Sequence, residues 1–517
     1  MRQLHLLLSS VLLTLAGCIS TPGIADERDA GPAPVTATPT HLQSGFVQVQ
    51  GTRFVLDGKT YRFAGANFWY GAYLGAANVT GDRARLRAEL DQLHAAGIDN
   101  LRILAMSEAS GFKRGVRPAL MTAPGKFDES LLQGLDYLLA EMARREMKAV
   151  LYLNNFWQWS GGMSQYVSWA TGEPVSTHDP DATGDWNGFM QNSARFYAMP
   201  QAQAWYRDAI RAVIGRTNSV TGVAYVDDPT VMSWQLANEP RPGSDQDGRA
   251  NFPAYRQWID ETAGFIHRLA PKQLVSTGSE GAMGSLRDTD LYVQAHETPN
   301  VDYLTFHLWP SNWNWIDQQD PAARLDSGLK TSLAYIDQHI DVAGRMGKPI
   351  VLSEFGLNRD GGSFSAGSGV IARDRFYQAI YDRVLKRMQA GDAIAGTNFW
   401  AWGGRGRTSN ADWMWKAGDP FTGDPPQEAQ GLFSLFDSDA STLGIVSGHA
   451  CSIRALAPAR RARACLSERP SETNQGTASS GPGELRGASS RSIHSSIRCR
   501  SFCVRRACRR CSRSSAR

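Results

Sequence analysis

The sequence predicts an α/β fold, a (β/α)8 barrel, on three observations. Between about residues 46 and 456, eight short apolar runs alternate with longer amphipathic stretches. That is the pattern of parallel strands joined by helical crossovers. No Gly-rich phosphate loop follows the first run, so an open doubly wound sheet lacks its usual signature. The polar residues of the runs also gather at their C-terminal tips, where TIM-barrel sites are built.

The first run, YRFAGANFWY (61–70), leads into DRARLRAELDQLHAAG (82–97). There Leu86, Leu90, Leu93 and Ala96 share a helical face, and Gly97 supplies the stop. NLRILA (100–105) precedes a helical pattern at 130–146, KAVLYLNNF (148–156) one at 203–216, and VMSWQLANE (231–239) one at 254–269. QLVSTGSEG (273–281) is followed only by a short, weak helix candidate at 288–297. VDYLTFHLWP (301–310), PIVLSEFG (349–356) and IAGTNFWAWG (394–403) precede helical patterns at 324–345, 370–390 and 439–456. Two connections are long, 157–200 after the third strand and 404–430 after the eighth. Loops of that size are usually functional, and both fall on the site face.

The ends of the chain differ from its body. Residues 1–17 carry one early positive charge and an apolar stretch from Leu6 to Ala16, the shape of a secretory signal. LAGC (15–18) resembles the bacterial lipobox, which makes Cys18 the candidate lipidation site; an ordinary signal with a chance cysteine is the alternative. Residues 18–45, rich in Pro, Thr and Ala, read as a flexible tether. Residues 46–457 hold the barrel. Residues 458–517 have 14 Arg, no Lys, three acids, five of the seven cysteines and no core period. They read as a disordered basic tail or the out-of-frame end of a gene. Without the tail the body is mildly acidic, which gives no reason to expect a nucleic-acid partner. With only Cys18 and Cys451 before the tail, the body has no disulfide framework and no cysteine metal site. A monomer is expected, with membrane attachment through a lipid only.

The strand tips carry the chemistry. They present Asn67 and Trp69, then Arg102, then Asn155 and Trp157, then Asn238 and Glu239, then Glu280, then His307 and Trp309, then Glu354, and last Trp400. A buried strand rarely ends in an acid without a reason, because a charge is costly to bury. Here two do, among aromatics, amides and cations. Paired carboxylates in an aromatic-lined cleft suit glycoside hydrolysis: one acid protonates the leaving oxygen, the other attacks the sugar carbon or activates water. Indoles stack on the apolar faces of sugar rings. Apolar walls and a neighbouring anion are expected to raise the pKa of Glu239.

SWQLANEPR, TFHLWP, VLSEFG and NFWAWGG together resemble glycoside hydrolase family 5, a clan A retaining barrel. GANFWY, NLRILA, LNNFWQWSGGMSQYV, STGSEG and DPPQEAQGLFSLFDSDAST widen the likeness to its β-mannanase subfamily. The resemblance implies a retaining endo-β-1,4-mannanase acting on mannan, glucomannan or galactomannan, with neither cofactor nor metal. It implies Glu239 as acid/base and Glu354 as nucleophile. Arg102, Asn238 and His307 would hold the nucleophile or the glycone sugar, and Trp400 would be the platform beneath it. Asn155 and Trp157 would line the glycone side, Arg241 and Glu280 the aglycone side. Trp309 stands where many members have a tyrosine that bonds the nucleophile, and its indole N–H would donate from a different position. A β-1,4-glucanase of the same family is one rival. An exo-β-mannosidase, which needs one end of the cleft blocked by a loop, is another, and a non-catalytic glycan-binding lipoprotein a third.

Overall fold

In the computed structural model, which describes residues 45–456, the apolar runs form strands β1 (Phe63–Asn67), β2 (Asn100–Leu104), β3 (Lys148–Tyr152), β4 (Val231–Gln235), β5 (Leu274–Ser276), β6 (Leu304–Leu308), β7 (Ile350–Phe355) and β8 (Ile394–Phe399). The expected signal, Cys18, the tether and the Arg-rich tail lie outside the described residues. The strands make one sheet in the order β5-β4-β3-β2-β1-β8-β7-β6, every neighbour parallel. β5 and β6 close the ring through single bonds. The Asp302 N–H donates to the Val275 carbonyl at 2.9 Å, and the His307 N–H to the Glu280 carbonyl at 3.1 Å. Apart from Lys148, every strand residue is buried, as expected when helices cover the outside and side chains fill the inside.

Helices α1 (Arg83–Ala95), α2 (Glu129–Ala143), α3 (Pro200–Ile214), α4 (Phe252–Leu269), α5 (Thr289–His296), α6 (Leu325–Met346), α7 (Ile371–Ala390) and α8 (Ala440–Ala455) follow the strands in turn. α1 shows why its sequence folds so. The Asp82 carboxylate caps it by accepting the Arg85 N–H, Leu86, Leu90 and Leu93 are fully buried, and Gly97 takes the left-handed φ of +89° that ends it. Ala96 is only half-buried, one position beyond the packed face.

Two sequence expectations needed refining. The run at 61–70 is divided: Lys59–Tyr61 is the last strand of a small antiparallel sheet with Gln48–Gln50 and Arg53–Leu56. That sheet plugs the barrel floor, packing Val47 and Phe54 on Phe63, Val150, Met232 and Leu274 at the strand starts. The long connection after β3 is not a bare loop. It holds the helices Gly162–Thr171, Pro180–Thr183 and Trp186–Ala194, each too short for a clear periodic signal. The connection after β8 is organised by Asp424, whose carboxylate accepts the N–H groups of Gly431 (2.7 Å), Phe433 (2.7 Å) and Ser434 (3.3 Å).

Candidate active site

Glu239 and Glu354 meet at the C-terminal mouth of the barrel. Glu354 is the penultimate residue of β7. Glu239 lies beyond β4, where the chain leaves the sheet in a left-handed conformation with φ of +49°. That costs a non-glycine residue about 1–3 kcal/mol, and such strain gathers at functional sites. The bend is pinned by the Glu239 N–H, which donates to the Gly278 carbonyl at 3.0 Å. Gly278 must be glycine, because a Cβ there would lie 1.9 Å from the Ala237 carbonyl oxygen. Carboxylate oxygens of the two acids and His307 Nδ1 all lie within 4.8 Å of one another. This is the close spacing of acids acting directly on one bond; a pair that works through an intervening water stands about 6.5–9.5 Å apart.

A hydrogen-bonded frame holds the pair. Arg102 is fully buried and ion-paired to Glu354. Its other donors reach Asn67 Oδ1 (3.1 Å), Gln235 Oε1 (2.7 Å) and Asn238 Oδ1 (2.8 Å). His307 Nδ1 donates to Glu239 Oε1 at 2.5 Å and approaches Glu354 Oε2 at 3.2 Å. Trp157 Nε1 donates to the other oxygen of Glu239 at 2.5 Å. Burial disfavours the His307 imidazolium, but the carboxylates of Glu354 and Glu239 outweigh it and push His307 up to about 9. The same contact reverses the expectation for Glu239. Burial does raise that carboxyl, but the His307 cation, the nearby Arg241 charge and the Trp157 bond bring it down to about 2. Both shifts favour the proton on the imidazole, one hydrogen bond from the acid. These three donors have a spacing that could hold a metal, but Arg102 and the imidazolium already set two positive charges against the two carboxylates.

A cleft of about 500 Å³ opens over the pair. Trp400 and Trp309 form its floor, edge to face with centroids 6.0 Å apart. Arg241 and Glu280, ion-paired, line the Glu239 side. Burial raises Glu280 to about 7; the Arg241 charge opposes this and the Glu239 charge adds to it. Pro425, Gln427 and Glu428 enter the cleft lining from the β8 connection, and Trp159 lines it as well. That connection is tied across the barrel mouth. Arg114 donates to the Gln427 carbonyl at 3.2 Å, Trp69 to the Gly423 carbonyl at 3.0 Å, and Gly431 lies so close to Phe364 that a Cβ would meet its carbonyl oxygen at 1.9 Å. Glu428 Oε2 is out of solvent without a hydrogen-bond partner. Its burial and the charges of Asp424, Glu354 and Glu239 hold that acid well above the usual carboxylate range.

The structure thus brings ten of the twelve expected residues to the pair or its cleft and leaves two outside it; of the ten, Trp157, expected to line the glycone side, instead bonds Glu239 and lies under the Arg241 guanidinium, on the acid/base side. Trp69 is enclosed behind the wall by Tyr70, Tyr73, Trp159 and Phe421, because its N–H anchors the β8 connection. Asn155 is fully buried and consumed by the frame, bonding Trp157 N, Ser160 Oγ and Asn238 Nδ2. Neither faces the cleft. Arg102 likewise spends its donors on protein, holding Glu354 and not a sugar. Trp309 lines the floor but makes no hydrogen bond to Glu354 among the described residues. Sequence reasoning missed Glu428, Gln427, Trp159 and Asn312, all on the cleft. They sit in loops, where no strand tip marks them; only the apolar company of Trp159 gave a hint.

Comparison with known proteins adds a lineage. A family model described as GH family 5 beta-mannosidase-like matches residues 44–457. The glycoside hydrolase family 5 mannosidase of Rhizomucor miehei superposes with a TM-score of 0.73 at 34% identity, over 80% of this chain and 98% of that one. A variant of it has been solved in complex with mannosyl-fructose. Mannan endo-1,4-beta-mannosidase 5 of Arabidopsis thaliana is 29% identical over 78% of this chain and 88% of its own length. Mannan endo-1,4-beta-mannosidase 1 of Oryza sativa subsp. japonica is 29% identical over 69% and 78%.

Proposed function

The chain belongs to glycoside hydrolase family 5, and on that basis we propose that it hydrolyses β-1,4-mannosidic bonds with retention, taking single sugars from the non-reducing ends of manno-oligosaccharides. Glu354 attacks the anomeric carbon of a mannosyl unit seated on Trp400, while Glu239 protonates the leaving oxygen. Water then attacks the glycosyl-enzyme, with Glu239 now accepting the proton. The proton for the first step lies on His307 Nδ1, 2.5 Å from Glu239. It passes to the acid when the sugar displaces the bonds that hold Glu239 ionised. Asn238, which accepts from Arg102 at 2.8 Å and lines the cleft with both acids, would bind the 2-hydroxyl.

One observation carries the end-on reading. The β8 connection puts Gln427 and Glu428 into the lining of the cleft that holds both acids, and Arg114 fastens it through the Gln427 carbonyl at 3.2 Å; we read it as a wall that admits one glycone ring. Gln427 and Glu428 then face that ring. The raised Glu428 carboxyl favours its protonated form, which can donate as well as accept a hydroxyl bond. The mannosidase likeness at 34% identity supports this. A second reading, internal cleavage of mannan, is favoured by the names of the plant relatives. The test sets mannotetraose, mannan, glucomannan and cellulose side by side. Free mannose from the tetraose, slow attack on polymers and no action on cellulose are expected. A rapid fall in mannan viscosity supports the second reading, and equal activity on cellulose overturns the choice of mannosides.

A further inference from the structure

Glu108 is a buried acid that the mechanism above does not use. It lies beyond the end of β2, out of solvent. Its Oε2 accepts the Gly162 N–H at 2.8 Å, while its Oε1 has no hydrogen-bond partner among the described residues. Burial raises this carboxyl to about 8, and the Gly162 bond opposes the rise. A half-satisfied buried acid is costly, so stability alone does not account for it. What it grips is the turn that carries Trp157.

That turn, from Asn155 to Met163, is clamped by two residues. The Glu108 N–H donates to the Ser160 carbonyl at 2.8 Å. Gly161, with φ of +85°, lies so close to Glu108 that a Cβ would meet its carbonyl oxygen at 2.4 Å. Asn155 accepts the Met163 N–H on its carbonyl (2.9 Å) and the Trp157 N–H on its side chain (3.1 Å). Gly162, with φ of +63°, would place a Cβ 2.3 Å from the Asn155 carbonyl oxygen. Both positions therefore require glycine, and Glu108 holds each of them. From this turn Trp157 donates its indole N–H to Glu239 Oε2, while His307 Nδ1 donates to Oε1. Two donors on two oxygens stop the acid/base carboxyl from rotating.

We propose that Glu108 is a positioning residue for the acid step: by clamping the Gly161–Gly162 turn it keeps the Trp157 N–H on Glu239 and so keeps that carboxyl aimed at the leaving oxygen. The inference rests on the mannoside-hydrolase reading above. Aim matters in proportion to the help a leaving group needs. Losing the clamp should therefore slow mannobiose and spare an aryl mannoside with a good leaving group.

The experiment measures kcat/KM on mannobiose and on such an aryl mannoside, and takes the ratio. Glu108→Ala should lower the ratio about tenfold. Glu108→Gln, whose amide oxygen can still accept the Gly162 N–H, should keep most of it. Trp157→Phe, which removes the indole N–H, should lower the ratio as Glu108→Ala does. Adding Glu108→Ala to Trp157→Phe should lower it no further, because the first acts through the second. Should Glu108→Ala fail to fold, Glu108→Asp, which draws the carboxyl back by one methylene, takes its place in both backgrounds. A ratio unmoved by these Glu108 variants, with both substrates slowed alike, overturns the proposal and leaves the mannoside reading standing. So does a full further loss in the Trp157→Phe background. A wild type inactive on both substrates removes the mannoside reading, and the proposal with it.

Discussion

Glu239 and Glu354 have different partners, and their substitutions should fail differently. Without Glu354 no glycosyl-enzyme forms, so Glu354→Ala should lose on the order of 10⁴-fold or more in kcat on every mannoside. Arg102 keeps Asn67, Gln235 and Asn238, so the fold should persist. Without Glu239 an aryl mannoside with a good leaving group still reacts in the first step, while oligosaccharide cleavage falls about 10²–10⁴-fold. Azide should rescue Glu239→Ala and yield a β-glycosyl azide; no rescue and no azide product would reverse the roles. The His307 proton makes a pH prediction. The alkaline limb of kcat/KM should lie well above the 6.5 of ordinary imidazole, toward 9, and a limb near 6.5 would contradict the shared proton. The signs for stability follow from the same pair. Glu239, depressed to about 2, contributes stability above 4.5 that is lost as pH falls toward 2. His307, raised to about 9, contributes stability below 6.5 that is lost as pH rises through 9. Thermal melts across pH should show both declines, the alkaline one absent in His307→Gln. The two acids were legible in the sequence because each closes an apolar run. The sign of the Glu239 shift was not, since it depends on an imidazole 68 residues away.

The eight strands and their helices could be read from hydrophobic period alone, because a strand buried on both faces leaves a continuous apolar run. The two long connections could be located but not interpreted. Their contacts are long-range, as between Arg114 and Gln427 or Trp69 and Gly423, and no local pattern reports them. The misplacing of Trp69 has the same cause: a tryptophan at a strand tip looks alike whether it holds a sugar or a loop. The β8 connection carries the prediction at this scale. Burial and the charges of Asp424, Glu354 and Glu239 raise its Glu428 carboxyl well above the usual carboxylate range, which favours the form a glutamine mimics, so Glu428→Gln should keep most activity on mannobiose. Glu428→Ala should lose about tenfold or more in kcat/KM. Asp424→Ala removes the acceptor of three backbone N–H groups and should loosen the wall, raising internal cleavage relative to end cleavage. Dye release from cross-linked mannan measures that ratio, and an unchanged ratio would show that the wall does not set end-on action.

For the whole chain, we propose that the barrel works outside the bacterial cytoplasm, tethered through lipid on Cys18, where it would meet partly degraded mannan. Cys18→Ala should abolish lipid attachment and move the protein from the membrane fraction to the soluble one. A wild type that is wholly soluble, with another mature N-terminus, defeats the anchor and leaves the catalysis untouched. Residues 458–517 lack an apolar period, so they have little surface to bury against their ordering entropy. Truncation after residue 457 should leave melting temperature and activity unchanged; a large loss of either would show that the tail packs on the barrel. The central claim joins the close acid pair to the walled cleft: retention, from the chain end. Time-resolved proton NMR of mannotetraose hydrolysis reads both at once. The account predicts β-mannose and mannotriose as the first products, before mutarotation. An α-anomer appearing first, or mannobiose as the dominant early product, would contradict it.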